Sequence, residues 1–255
     1  MVRLDTETEP VRTTRSALVG RDGHLTTLED IIARAIEFQV PQLVTVVGNQ
    51  GTGKTRLINE LISRLANDPK RSCRVYHGAA ERDAAHQPVR LAALTSLLRD
   101  RFELTPDPDD VTRLRFTHEI KTVMGAEQVT EMQYFLGSFV GLEFPTTAFL
   151  RSVAENPKHR TELARTALRR FIEEDASQHP LVIVLDDMQW ADTETLAVVS
   201  DLAASLAGSQ VVLLTAARPK LLVHAGGWGE GAVEHERIDL RNLEPDDAEQ
   251  MFKNL

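Results

Sequence analysis

Gly48-Asn49-Gln50-Gly51-Thr52-Gly53-Lys54-Thr55 matches the phosphate-loop pattern G-x-x-x-x-G-K-[ST] at every fixed position. The glycines let the backbone curl so that consecutive N–H groups face inward, and an ammonium and a hydroxyl follow at set offsets. Such a cup holds phosphates and Mg²⁺. Lys54 is expected to reach the terminal phosphate oxygens and Thr55 to ligate the metal, while the helix that opens there turns the positive end of its dipole toward the anion. Arg56, next in that helix, is grouped with the nucleotide-binding positions. Immediately before the loop, Leu43-Val44-Thr45-Val46-Val47 reads as a buried strand. Immediately after it, Leu57, Ile58, Leu61, Ile62 and Leu65 recur at helical spacing. Strand, loop and helix together separate this match from a glycine-rich turn that meets the pattern by accident.

Upstream, Leu25, Leu28, Ile31, Ile32, Ala35 and Ile36 predict an amphipathic helix stopped by Pro41 and preceded by Leu18-Val19-Gly20-Arg21. Core packing accounts for its apolar positions. Gly20-Arg21 has two readings: a turn before the helix, or a glycine and a cation that touch the nucleotide. Residues Asp5 to Ser16 are polar and read as a flexible lead-in.

Downstream, Asn67-Asp68-Pro69-Lys70 breaks the helix, and Cys73-Arg74-Val75-Tyr76-His77 predicts a second strand ending at Gly78. From Pro88 to about Gln178 the pattern is helical. Its stripes are Leu91, Leu94, Leu97 and Leu98; then Val129, Met132, Phe135, Leu136 and Phe139; then Leu163 to Ile172, with breaks at Pro145 and Pro157. These Met and Phe positions are core, and no cofactor is assigned to them.

Strands resume at Leu181-Val182-Ile183-Val184-Leu185 and at Gln210-Val211-Val212-Leu213-Leu214-Thr215, separated by a helix carrying Leu196, Val199, Leu202 and Leu206. Arg237-Ile238-Asp239-Leu240 predicts a fifth strand. Ala225-Gly226-Gly227-Trp228-Gly229-Glu230-Gly231 reads as a mobile loop with Trp228 as a candidate anchor. Pro245 to Phe252 opens like a capped helix in which the chain stops, so the sequence reads as a fragment. Five short apolar strands separated by helices, without hairpin signals, predict an α/β fold with a parallel sheet covered on both faces.

The bulk composition narrows the class. With 255 residues, 42% hydrophobic and 26% charged, the chain can bury a full α/β core. No apolar run approaches a membrane span and the start lacks an apolar signal core, so a cytoplasmic protein without membrane contact is expected. Cys73, the single cysteine, reads as a small buried hydrophobe. A net charge of −9 argues against direct nucleic-acid binding by this segment. The one basic stretch, Lys158-His159-Arg160 with Arg165, Arg169 and Arg170, shares its helix with apolar positions and reads as a solvated face.

Beyond the loop, Asp186-Asp187 follows five apolar residues, which places two carboxylates at the C-terminal edge of a parallel sheet, where such sheets bind ligands. Asp186 is the candidate Mg²⁺ partner and Asp187 the candidate to orient or deprotonate the attacking water; turn and capping roles are the alternative. Thr215-Ala216-Ala217-Arg218-Pro219 is expected to bring a hydroxyl and a guanidinium to the same edge. Arg218, with several donors in a fixed fork, suits a γ-phosphate; a surface arginine before a proline is the duller reading.

Val19-Gly20-Arg21, the phosphate loop, Leu185-Asp186-Asp187-Met188-Gln189-Trp190-Ala191-Asp192 and Leu214-Thr215-Ala216-Ala217-Arg218-Pro219 together resemble the ATPase domain of signal-transduction ATPases with numerous domains. More closely, they resemble the Orc1-like AAA-type module of large bacterial regulators. The resemblance covers the chain from about Leu18 and implies a three-layer P-loop fold. Its sheet is ordered 5-1-4-3-2, with a long helical insertion after the second strand. It further implies ATP with Mg²⁺, contact of Val19, Gly20 and Arg21 with the adenine side, and γ-phosphate sensing at Arg218. The domain is then 18–242, after a lead-in at 1–17, and 243–255 begins a helical lid that usually continues further. Asp187 stands where many AAA-type ATPases have glutamate, which implies slow hydrolysis.

The function expected from these observations is an ATP-binding, slowly hydrolysing switch module of a larger signalling or transcription-regulatory protein. Its expected partners are ATP and ADP, covalently linked signalling, repeat or DNA-binding domains, and a second copy on ATP binding. An initiator-type ATPase acting on DNA, of the Orc1/Cdc6 kind, is the alternative, and the acidic charge counts against it. A small-molecule kinase would need an arginine-rich lid near the loop, which the helical insertion does not obviously supply.

Overall fold

A strand with no polar face has to be covered on both sides, and β1 (Gln42–Gly48) and β4 (Val211–Ala217) are buried at every residue. The computed structural model describes residues 18–68, 72–105 and 109–253. The lead-in read at 1–17 lies outside the described residues, as do Pro69, Lys70, Asn254 and Leu255. The remaining strands are β2 (Arg74–Ala79), β3 (Leu181–Asp186) and β5 (His235–Leu240). All neighbours pair in parallel in the order β2-β3-β4-β1-β5, which is 5-1-4-3-2 read from the other edge. Every connection is therefore a crossover, and helices fill both faces.

Side-chain alternation along the strands divides the core into two layers. Val44, Val46, Val182, Val184, Val212 and Leu214 face α1 (Asp22–Phe38) and α2 (Lys54–Asn67), which contribute Leu25, Leu28, Ile31, Ile32, Leu57 and Leu61. Their neighbours Leu43, Leu181, Ile183, Leu185, Val211 and Leu213 point the other way. That second layer receives the insertion between β2 and β3: α3 (Ala92–Arg101), α4 (Asp110–Met124), α5 (Val129–Val140), α6 (Ala148–Ala154) and α7 (Pro157–Gln178). It is completed by α8 (Thr193–Ser205) and by the short α9 (Lys220–His224) after β4.

The breaks at Pro145 and Pro157 are present, with Pro157 in the first turn of α7 and Asn156 capping it. The structure adds a break after α3 and another at Gly125, the residue that closes α4. It also shows an isolated antiparallel bridge between Arg82 and Pro88, in a segment where no hairpin is signalled.

Polar ties fix the insertion to the sheet. Asp175 of α7 is buried and accepts hydrogen bonds from Arg101 Nε (2.7 Å) and Nη2 (3.1 Å) on α3 and from Arg74 Nη1 (2.9 Å) on β2; Arg101 also reaches Glu119 on α4 at 3.2 Å. Burial works to lower the Arg101 pKa, but the hydrogen bonds and charge of Asp175 outweigh it and hold the guanidinium above its usual range. The glycine-rich stretch is anchored as its tryptophan suggests, since buried Trp228 donates from Nε1 to Thr45 Oγ1 of β1 at 2.9 Å. Cys73 is half-buried just before β2, and burial raises its thiol pKa. In the basic stretch, Arg169 pairs with Glu173 one turn along α7 at 2.7 Å, whereas Arg165 is partly buried against α8 and pairs with its Asp201 at 3.6 Å, so the face expected to be solvated is in part packed on a neighbouring helix. Among the described residues, no helix is long and apolar enough to cross a membrane.

Candidate functional site

The loop is built at the point where β1 runs out. Gly48 is its last residue, and a side chain there would press on Thr52 Oγ1 and the Leu240 carbonyl. Gly51 (φ +82°) and Gly53 (φ +91°) carry the backbone through the left-handed region that glycine enters without a steric penalty, and α2 starts at Lys54. Asn49, Gln50 and Gly51 are exposed at the rim, whereas Thr52 is buried with its hydroxyl donating to the Asn49 carbonyl at 3.0 Å. Lys54 Nζ donates to the carbonyls of Gly48 (2.9 Å) and Asn49 (3.0 Å), which lays the ammonium along the loop. Burial pulls the Lys54 pKa down; Asp186 opposes this, Arg218 adds to it and Asp187 opposes it again. One ammonium thus feels both carboxylates and the guanidinium.

Asp186 ends β3, and its Oδ2 accepts from Thr55 Oγ1 at 3.2 Å across 131 positions of sequence. Its Oδ1 takes the Asp187 backbone N–H at 2.7 Å. The strand stops between the two acids: Asp187 has φ +54° and opens a single 3₁₀ turn at Met188–Trp190. The two carboxylates therefore have different partners. Asp187 Oδ1 accepts from Gln189 Nε2 at 2.6 Å, and Gln189 Oε1 accepts from the Arg218 N–H at 2.8 Å. Arg218 follows β4 directly, with its guanidinium 5.5 Å from the Trp190 ring centre. Arg82 stacks on the same ring at 3.6 Å and Lys220 Nζ lies 5.0 Å from it.

Other sequence-selected residues have different surroundings. The Arg21 guanidinium is buried and donates to the Thr52 carbonyl at 3.1 Å and to the Arg241 carbonyl at 2.5 Å, bracing the phosphate loop against the end of β5. Burial lowers its pKa, and Asp247 of α10 (Pro245–Lys253) counteracts this. Val19 is buried beside it, and Gly20 is exposed but backs onto the Asp247 carboxylate. Arg56 is exposed on the first turn of α2.

Thr215 is not at the sheet edge, because β4 continues to Ala217; its fully buried hydroxyl donates to the Val44 carbonyl at 3.0 Å. Asp192 is a structural cap: it receives the N–H groups of Glu194 and Thr195 at the start of α8 and that of Leu91 ahead of α3 at 3.0 Å. Gln189 and Trp190 stand inside the quoted Asp186–Asp192 stretch, but no role for either is legible there. A polar residue after an acid pair was the available signal for Gln189. A cleft of about 640 Å³ beside Ala191, Thr193 and Trp228 contains no phosphate-loop residue; the site is recognised by its donors rather than by its depth.

The family model of the AAA ATPase domain matches residues 17–214. The chain belongs to this family. The match includes the phosphate loop and Asp186-Asp187, while Arg218, β5 and α10 follow it. An uncharacterized protein of Rhizobium meliloti (strain 1021) is 25% identical over 239 residues, covering 92% of this chain and 21% of that protein. The chain thus spans about a fifth of the length of that curated relative. Among solved structures, the fold is shared with Cdc6p from Pyrobaculum aerophilum, with a TM-score of 0.53, 13% identity, and coverage of 96% of this chain and 51% of that one. A signal transduction ATPase with numerous domains from Pyrococcus horikoshii, carrying a tetratricopeptide repeat sensor, aligns over 95% of this chain and 27% of its own, with a TM-score of 0.39 and 16% identity. This AAA ATPase domain is thus an Orc1-like P-loop NTPase in fold, and its family implies nucleotide use.

Proposed function

We propose that this AAA ATPase domain binds ATP with Mg²⁺ at the phosphate loop, hydrolyses it slowly, and serves as the switch of a larger cytoplasmic signalling or transcription-regulatory protein. The observation that carries the reading is the 3.2 Å contact between Thr55 Oγ1 and Asp186 Oδ2, which joins the start of α2 to the end of β3. A hydroxyl beside a carboxylate is a hard-oxygen pair of the kind that suits Mg²⁺, which is commonly held by one or two protein oxygens together with substrate phosphates. When bound there by Thr55 and Asp186, the ion would neutralise charge on the phosphates.

The chain's own groups divide the remaining work. Backbone N–H groups from Asn49 to Lys54 cradle the phosphates, and Lys54 exchanges its two carbonyl partners for phosphate oxygens. Asp187, off the strand axis, accepts the proton of the attacking water. Arg218 reads the γ-phosphate from the neighbouring strand. Arg21, Val19 and Gly20 support the loop from below and face the adenine side. A helical lid from 243 onward and self-association on ATP binding complete the proposed switch. The net charge of −9 speaks against a DNA-acting role for this segment.

Lys54→Ala tests the core of the proposal. Loss of a charge-assisted hydrogen bond, at about 1.5–3 kcal/mol, lowers affinity roughly 10- to 100-fold. Titration with a fluorescent ATP analogue measures it. Equal affinities at unchanged circular dichroism would remove the phosphate-loop assignment.

A further inference from the structure

The side chain of Gln189 joins the Asp187 carboxylate to the backbone of Arg218, two residues to which the proposed mechanism gives separate tasks. It is 5% exposed, and both ends of its amide are engaged: Nε2 donates to Asp187 Oδ1 at 2.6 Å and Oε1 accepts from the Arg218 N–H at 2.8 Å. A backbone N–H only donates and an ionised carboxylate only accepts, so the orientation of the amide is forced by its partners. A side chain bridging this pair needs an acceptor at one end and a donor at the other. Glutamate would set carboxylate against carboxylate, and an apolar residue would abandon both partners.

The backbone around this amide is held as well. Asp187 sits at φ +54°, with its carbonyl accepting from the Trp190 N–H at 2.8 Å, so the position of its carboxylate is left to the side-chain torsions. Arg218 meets the same turn twice, through its N–H at Gln189 and through its guanidinium over the Trp190 ring at 5.5 Å. The turn that carries the Asp187 carboxylate is thus fastened to the backbone at the end of β4.

We infer that Gln189 is a positioning residue that sets the Asp187 carboxylate for hydrolysis by tying it to the Arg218 backbone N–H at the end of β4. This rests on the reading of the site as an ATP-hydrolysing one. Gln189 touches neither nucleotide nor water in this scheme; it acts through Asp187.

The test uses the full chain with Gln189→Ala, Gln189→Glu, Asp187→Asn and the Gln189→Ala/Asp187→Asn double variant. Three quantities are measured: affinity for fluorescent ATP and ADP analogues, single-turnover hydrolysis at saturating ATP, and melting temperature. Both Gln189 variants are expected to slow the single-turnover step about 10- to 100-fold, within the range lost when a general base is misplaced. ATP affinity is expected to stay within about threefold of wild type, a split that general loss of structure does not give. The double variant is expected to be little slower than Asp187→Asn alone, since groups that act as a unit are not additive. Gln189→Glu keeps the length and the acceptor toward Arg218, so it carries the test if the alanine variant melts early.

Folded Gln189 variants that hydrolyse at the wild-type rate while Asp187→Asn is slow would overturn the positioning role alone, as would independent, multiplying effects of Gln189→Ala and Asp187→Asn. An Asp187→Asn chain at the wild-type rate would remove the base assignment and the positioning role with it. A wild-type chain that binds no ATP would instead mark failure of the proposed function.

Discussion

Asp186 and Asp187 are adjacent in sequence and differ in every partner. Asp186 belongs to β3 and is bound to the Thr55 hydroxyl, whereas Asp187 has left the strand and is bound to Gln189. Asp186→Asn is therefore expected to weaken Mg²⁺-dependent ATP binding, since an amide offers one neutral oxygen where a carboxylate offers two charged ones. Asp187→Asn is expected to leave binding nearly intact and to lower single-turnover hydrolysis by about 10²–10⁴, the usual cost of a lost general base. A Mg²⁺ titration of analogue binding paired with a single-turnover assay reads both effects. Wild-type hydrolysis by Asp187→Asn would place the base elsewhere. The acid pair is visible in the sequence as the first polar residues after an apolar strand. Its division of labour is less so, because one backbone torsion decides which carboxylate faces Thr55 and which turns away.

At the scale of elements, the insertion is held by a buried charge and the sheet edge by exposed ones, and the two should respond differently to truncation. Asp175→Ala takes from Arg101, the last residue of α3 with a side chain 8% exposed, its buried carboxylate partner and leaves only the half-exposed Glu119 at 3.2 Å. Breaking one partner of a buried pair typically costs about 3–5 kcal/mol. Asp239→Ala removes the partner of Arg237 on β5, where the side chains are 53% and 49% exposed, and is expected to cost less than about 1 kcal/mol. Urea unfolding followed by circular dichroism compares them. Equal, small losses would show that the Asp175 cluster does not tie α7 to α3 and β2. Helical stripes announced the insertion, because each helix buries one face and repeats every three to four residues. Its subdivision at Gly125 was not announced by proline, the breaker used to place the other ends.

For the whole molecule, the proposed switch role predicts slow turnover. No arginine other than Arg218 is placed by motif against the transferring phosphoryl group, and supplying such a group from elsewhere accelerates hydrolysis by about 10³–10⁵. A steady-state rate below about one turnover per second is expected of this chain, and tens per second would overturn the switch reading. The chain spans 21% of the length of its Rhizobium meliloti relative, so stimulus and output are proposed to belong to other domains. Sedimentation with ATP and with ADP checks the proposed self-association; identical profiles would count against it.

What the sequence determined by itself was local. Apolar runs, helical stripes and the spacing from Gly48 to Thr55 specify strands, helices and an anion cup from neighbours a few residues apart, and together they implied a parallel sheet covered on both faces. The tertiary structure decided which distant groups meet. Arg21 reaches the phosphate loop 31 positions away and the Arg241 carbonyl 220 away, and Gln189 finds the Arg218 N–H across 29 positions, beyond the whole of β4. Thr215 became a core hydroxyl because β4 runs two residues beyond it. Such pairings depend on strand register and strand length, which shift a side chain by a whole face per residue, and short-range periodicity carries no record of them.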